Sequence, residues 1–100
     1  MSPAKRPALT VLPLSSRVVL ITGAASGIGA ATALEVVAQG GTPVLVDCDE
    51  EPLAHMAQRC GPDTLYLTAD VSDLLAMQAV VEKTLAVHGR IDVVFANAGV

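Results

Sequence analysis

Three glycines, Gly23, Gly27 and Gly29, carry the spacing in this sequence that could do chemistry. They lie in Thr22-Gly23-Ala24-Ala25-Ser26-Gly27-Ile28-Gly29, a G-x-x-x-G-x-G pattern. A β-branched run, Val18–Thr22, precedes them, and a stretch with Ala, Leu and Val at helical spacing follows. A glycine loop between a strand and a helix suits a phosphate ligand. Gly23 permits a sharp turn out of the strand, Gly27 lets the backbone approach a pyrophosphate, and Gly29 lets the helix pack closely on the sheet. The helix start, from Ile28 onward, then offers free N–H groups and the positive end of its dipole, and the Ser26 hydroxyl can donate as well. The competing account is a structural Gly/Ala turn that binds nothing.

Further polar positions recur one strand-plus-helix unit apart: Asp47, then Asp70-Val71, then Asn97. An acid at the end of a second strand can accept from both hydroxyls of an adenosine ribose. It repels a 2′-phosphate by about 4 kcal/mol at ~4 Å and an effective dielectric near 20. Asp49, Glu50 and Glu51 add to that field, and no Lys or Arg occurs from Val18 to Gln58. The expected cofactor is therefore NAD, not NADP. Asp49, Glu50 and Glu51 also read as a solvated acidic loop. Asp70 reads either as a ligand contact or as an acid beside a helix start. Asn97 reads as a residue at the ligand edge, a structural turn residue, or both.

The elements that must position these residues alternate strictly. Strands are expected at Val18–Thr22, Val44–Asp47, Leu65–Thr68 and Ile91–Phe95. Helices are expected at about Gly27–Gln39, Glu51–Arg59 with Pro52 in its first turn, and Asp73–His88 capped by Ser72. Leu74, Met77, Val81 and Leu85 share one face of the last helix and form its expected buried stripe. Strands rich in Val, Ile and Leu without clean alternation are expected to be buried on both faces, which points to a parallel sheet covered by helices. Right-handed crossovers then give a doubly wound α/β sheet (a Rossmann fold) beginning 3-2-1-4, with Gly23, Asp47, Asp70 and Asn97 at its carboxyl edge.

Composition bounds the function. At 100 residues, 52% hydrophobic and 16% charged, the chain is too apolar for disorder. Aromatic residues are only 2%. Net charge is −4, and from Val18 onward three bases (Arg59, Lys83, Arg90) face all 10 acids. Nucleic acid and anionic membrane surfaces are poor partners for such a body. No apolar run reaches the ~20 residues that span a bilayer. Cys48 and Cys60 lack metal-ligand spacing and read as reduced, mostly buried thiols of a cytoplasmic protein. His55, His88, Lys83 and Arg90 read as surface residues. Residues 1–16, with Lys5, Arg6 and three prolines, read as a flexible tail before a domain at 17–100.

With these residues in hand, the sequence resembles the short-chain dehydrogenase/reductase family. Thr-Gly-x-x-x-Gly-Ile-Gly at Thr22–Gly29 is that family's cofactor motif, and Asn97-Ala98-Gly99 is similar to its Asn-Asn-Ala-Gly, with Ala96 in the first place. The resemblance covers about Arg17 to Val100. It implies cofactor contacts from Gly23, Ser26, Gly27, Ile28, Gly29, Asp47, Asp70, Val71, Asn97, Ala98 and Gly99. It implies that Asp70 and the Val71 N–H meet the adenine, and that Asn97 ties the fourth strand to the first. Hydride transfer between NAD and an alcohol or carbonyl substrate is the implied activity, and a homo-oligomer the implied assembly. The family's catalytic serine and Tyr-x-x-x-Lys are missing here: the one tyrosine is Tyr66, and position 70 is Asp. No catalytic residue is therefore expected in this chain, which reads as the cofactor half of a longer enzyme and is expected to be inactive alone. A non-catalytic NAD-binding module or sensor is the alternative.

Overall fold

The computed structural model describes residues 14–97. Seven elements alternate: β1 (Val18–Thr22), α1 (Gly27–Ala38), β2 (Thr42–Asp47), α2 (Glu50–Cys60), β3 (Leu65–Thr68), α3 (Leu74–His88) and β4 (Val93–Ala96). The strands form one parallel sheet in the order β3-β2-β1-β4, the doubly wound start expected from the sequence.

The sheet's two faces follow from the period-2 alternation of its side chains. Val19, Ile21 and Leu45 pack against Ala33 and Val36 of α1 and Leu53, Met56 and Ala57 of α2. Val18, Leu20, Val44 and Val46 pack on the opposite face against Val80 of α3. Full burial of side chains such as Ile21, Leu45 and Leu53 contributes about 1.5–3 kcal/mol each. β1 and β2 are buried on both faces, as expected. β3 and β4 are not: they alternate half-buried with exposed, because each has a single neighbouring strand among the described residues.

The helices depart from expectation in two ways. The cap of α3 is Asp73, not Ser72: its carboxylate accepts the Ala76 N–H at 3.1 Å. The buried stripe of α3 is Val80 and Thr84, flanked by Ala76 and Met77, whereas Leu74, Val81 and Leu85 are exposed. The helix is apolar around much of its circumference, so periodicity alone does not single out the inward face. The Thr84 hydroxyl is accommodated there by donating to the Val80 carbonyl at 2.8 Å.

The thiols and one histidine also differ from expectation. Cys48 is exposed and Cys60 half-buried, both free. Cys48 follows the last residue of β2, where the chain leaves the sheet. Desolvation and the nearby Asp49 and Asp47 raise the Cys48 thiol above its ordinary value. His88 is half-buried, and its Nε2 is enclosed without a hydrogen-bond partner among the described residues.

Arg90 is more than a solvated charge. Its Nε donates to Asp92 Oδ2 at 2.8 Å, and the same oxygen accepts the Val18 N–H at 2.8 Å. This clip joins the entries of β4 and β1, and the strand proper starts at Val93, two residues later than expected. Arg90, and then the Val18 N–H, hold the Asp92 carboxyl below its ordinary value of 3.8. A depressed folded-state pKa stabilises the fold above the unfolded value and is lost as pH falls through the folded one. Melting temperature should therefore fall below about pH 4, with a shallower acid limb in Asp92→Asn. An identical limb in the variant contradicts the assignment.

Of the expected tail, residues 1–13 lie outside the described residues. Leu14–Ser16 form a turn against the end of α1, with the Ser16 N–H donating to the Gly40 carbonyl at 3.0 Å.

Candidate dinucleotide site

The parallel register puts the carboxyl ends of all four strands on one edge: Thr22 pairs with Val46 and Ala96, and Asp47 pairs with Thr68. Gly23, Asp47, Asp70, Val71 and Asn97 leave the sheet from that edge. Ala98 and Gly99 lie outside the described residues.

The glycine loop joins β1 to α1 through two left-handed turns, Gly23 at φ 67° and Gly27 at φ 61°. Ser26 precedes the helix in extended conformation, and its side chain makes no capping hydrogen bond. The first-turn N–H groups of Gly27, Ile28 and Gly29 have no acceptor within the helix. With an uncapped start, they are aimed at whatever lies in front of α1. A Cβ at Gly27 would meet nothing within 4 Å among the described residues, so the space before the helix is open to a ligand. Ser26, Gly27 and Ile28 are exposed, while Gly29 is buried. A Cβ at Gly29 would lie 2.7 Å from the Gly23 carbonyl carbon and 3.1 Å from the Ala24 Cα, and closer still to the Gly23 oxygen. Gly29 therefore allows helix and loop to touch.

Asp47, half-buried, sits beside this loop. Its Oδ2 accepts the Ala25 N–H at 3.0 Å, and its Oδ1 accepts the N–H groups of Cys48 at 2.7 Å and Asp49 at 3.4 Å. The backbone of β2 adds a bond, Ala24 N–H to Val46 carbonyl at 3.1 Å. On the other side, the Asn97 N–H donates to Thr22 Oγ1 at 3.0 Å and its side-chain amide to the Gly23 carbonyl at 3.4 Å. Asn97 thus ties β4 to β1, the structural role expected of it.

Asp70 is exposed. Its Oδ1 accepts both the N–H of Ser72 at 2.9 Å and the Ser72 hydroxyl at 2.7 Å. Those two bonds, the backbone one first, hold its carboxyl below the ordinary value. Asp70 therefore closes a turn ahead of α3, which leaves its other oxygen clear of that turn. Val71 is half-buried beside it.

Two contributors lie beyond what the sequence reveals. Thr22 enters the glycine motif only as its first residue, yet its hydroxyl receives Asn97; a hydroxyl at the end of an apolar strand is the available signal. The Ala25 N–H is invisible in the sequence, because a backbone amide leaves no trace in the residue type. Thr22 is 4% exposed, and Thr22→Val leaves the amide of half-buried Asn97 without this acceptor. It should cost about 1–3 kcal/mol in denaturant unfolding; unchanged stability would remove this anchor from the site.

An uncapped, glycine-fronted helix start and an acid at the next strand end, both at the carboxyl edge, are the arrangement expected of a doubly wound α/β domain's ligand edge. The family model described as short chain dehydrogenase matches residues 17–100, and the chain belongs to that family. It is 37% identical over 87 residues to (+)-borneol dehydrogenase 1 of Salvia officinalis, covering 87% of this chain and 34% of that protein. It is 46% identical over 91 residues to levodione reductase of Leifsonia aquatica, covering 86% and 34%. Among solved structures, a short chain dehydrogenase/reductase from Burkholderia phymatum in complex with NAD superposes at a TM-score of 0.85. It is 33% identical, over 90% of this chain and 33% of that one. The chain spans about a third of the length of these relatives. No helix among the described residues is long and apolar enough to cross a membrane.

Proposed function

We propose that this chain is the cofactor-binding part of an NAD-dependent oxidoreductase that moves hydride between the nicotinamide and a small alcohol or carbonyl substrate. The observation that carries the reading is the pairing of an open, uncapped α1 start with Asp47 beside the same loop. The loop and the N–H groups of Gly27, Ile28 and Gly29 would hold the pyrophosphate, with Gly23 turning the chain and Ser26 donating. Asp47 would take the adenosine ribose hydroxyls and repel a 2′-phosphate. Asp70 and Val71 would meet the adenine, while Asn97, Ala98 and Gly99 would wall the cofactor from the β4 side.

When bound, NAD supplies the hydride chemistry. The residues of this chain bind and orient it; no residue here moves the substrate proton, because the chain holds no Tyr-x-x-x-Lys. A protein of its relatives' length would carry that set in the remaining two-thirds, together with the substrate pocket and the contacts of a homo-oligomer in the cytoplasm.

The test is a nicotinamide absorbance assay with NAD or NADH against a panel of cyclic and secondary alcohols and ketones. The longer protein should turn over some of them, and the 100-residue chain none. Turnover by the 100-residue chain contradicts the division of labour. NAD binding without turnover in the longer protein would instead make it a sensor.

A further inference from the structure

We propose that the Asp47 carboxylate has a second role, as the positioning residue that sets the glycine loop before the dinucleotide arrives. The proposal deepens the cofactor reading and rests on it.

The loop has reason to be loose. Two left-handed glycines bracket Ala24–Ser26, and the Ser26 side chain does not cap the helix that follows. Among the described residues, three bonds reach the loop from neighbouring strand ends: Ala24 N–H to the Val46 carbonyl at 3.1 Å, Ala25 N–H to Asp47 Oδ2 at 3.0 Å, and Asn97 Nδ2 to the Gly23 carbonyl at 3.4 Å. Only the Asp47 bond has a charged acceptor, and hydrogen bonds to a carboxylate are about twice as strong as neutral ones. It is also the anchor furthest along the loop, one residue short of Ser26. The acceptor is itself held, since the Cys48 N–H grips Oδ1 at 2.7 Å and fixes how the carboxylate faces the loop.

A carboxylate offers about four acceptor positions. The amides of Ala25 and Cys48 use two at 3.0 and 2.7 Å, and the Asp49 amide reaches a third only over a long 3.4 Å, so a second ribose hydroxyl is received where that contact yields. A ribose would therefore be received by a carboxylate already committed to the loop, so ribose recognition and the grip on phosphate share one side chain. Replacing Asp47 to admit a 2′-phosphate should loosen the phosphate loop at the same time.

The test uses a ligand without ribose hydroxyls, 2′,3′-dideoxyadenosine 5′-diphosphate. If Asp47 served the ribose alone, its removal would leave this probe unaffected, or bind it better for the lost negative charge. As a loop anchor, Asp47→Ala should weaken the probe about tenfold, and Asp47→Asn, which keeps a neutral acceptor, about threefold. Amide hydrogen exchange of Ala25 in the ligand-free protein should quicken by about tenfold in the Ala variant, while Leu20 and Val44 in the sheet exchange as in wild type. Probe affinity and Ala25 exchange unchanged in both variants overturn the proposal. Should the Ala variant not fold, the Asn variant decides: a threefold loss supports the anchor and no loss overturns it. Wild-type protein that binds neither NAD nor the probe overturns the cofactor reading itself, and this role with it; wild-type binding with indifferent variants overturns only the anchor.

Discussion

Gly29→Ala is expected to cost the protein both its fold stability and its hold on a dinucleotide. The added methyl would lie 2.7 Å from the Gly23 carbonyl carbon and 3.1 Å from the Ala24 Cα. Both neighbours are backbone, so no side chain can rotate away. Either α1 shifts along the sheet or the loop is pushed off it. Overpacking of this kind costs about 3 kcal/mol, which in a domain this small lowers the melting temperature by roughly 10 °C or more. Gly27→Ala is the informative partner. Beyond its chain neighbours, no atom of the described residues lies within 4 Å of its new methyl, so the expected cost is that of a left-handed alanine at φ 61°, about 1–2 kcal/mol. Its methyl would instead occupy the space where a pyrophosphate would lie. Gly29→Ala should thus be the worse variant by melting, and Gly27→Ala should lose NAD affinity out of proportion to its stability. Equal effects of the two on both readouts would contradict the roles given to them.

Asp47→Ala is expected to erase the preference for NAD over NADP. The repulsion between a carboxylate and a 2′-phosphate at ~4 Å is about 4 kcal/mol at an effective dielectric of 20, on the order of a thousandfold in affinity. Asp47 is half-buried and next to bulk water, and salt screens part of that figure, so a preference of about a hundredfold in wild type is the lower expectation. In the variant the ratio should approach one. The lost Ala25 anchor weakens both cofactors alike, so the ratio should move chiefly through relief of the repulsion on NADP. No cation between Val18 and Gln58 is available to recruit the extra phosphate. A variant that keeps its wild-type ratio in competitive titration would remove Asp47 from the specificity account.

Much of the fold is legible in the sequence, for physical reasons that differ by element. β1 and β3 fall at Val18–Thr22 and Leu65–Thr68 as expected, since short apolar runs bounded by turn residues have few other places to go. The glycine loop is legible because each glycine answers a backbone demand no other residue meets. The inward face of α3 is not, because a helix apolar on most sides owes its orientation to the sheet beneath it. The cap at Asp73 is hidden because Ser72 and Asp73 are both good capping residues, and the choice depends on Asp70 engaging Ser72 first. Cys48 is expected inside on residue type, whereas its place just past a strand end puts it outside. The bonds that fix the site, Ala25 to Asp47 and Asn97 to Thr22, join residues 22 and 75 positions apart and become visible only when the sheet is assembled.

The most direct test of the central claim, a dinucleotide site at the carboxyl edge of the sheet, is an NMR titration of the protein with NAD. Amide shifts should concentrate at Ala24–Gly29, Asp47, Cys48, Asp70, Val71 and Asn97, with the opposite edge at Arg17, Thr42 and Thr64 silent. Shifts absent at saturating NAD, or gathered away from the glycine loop, would contradict the account.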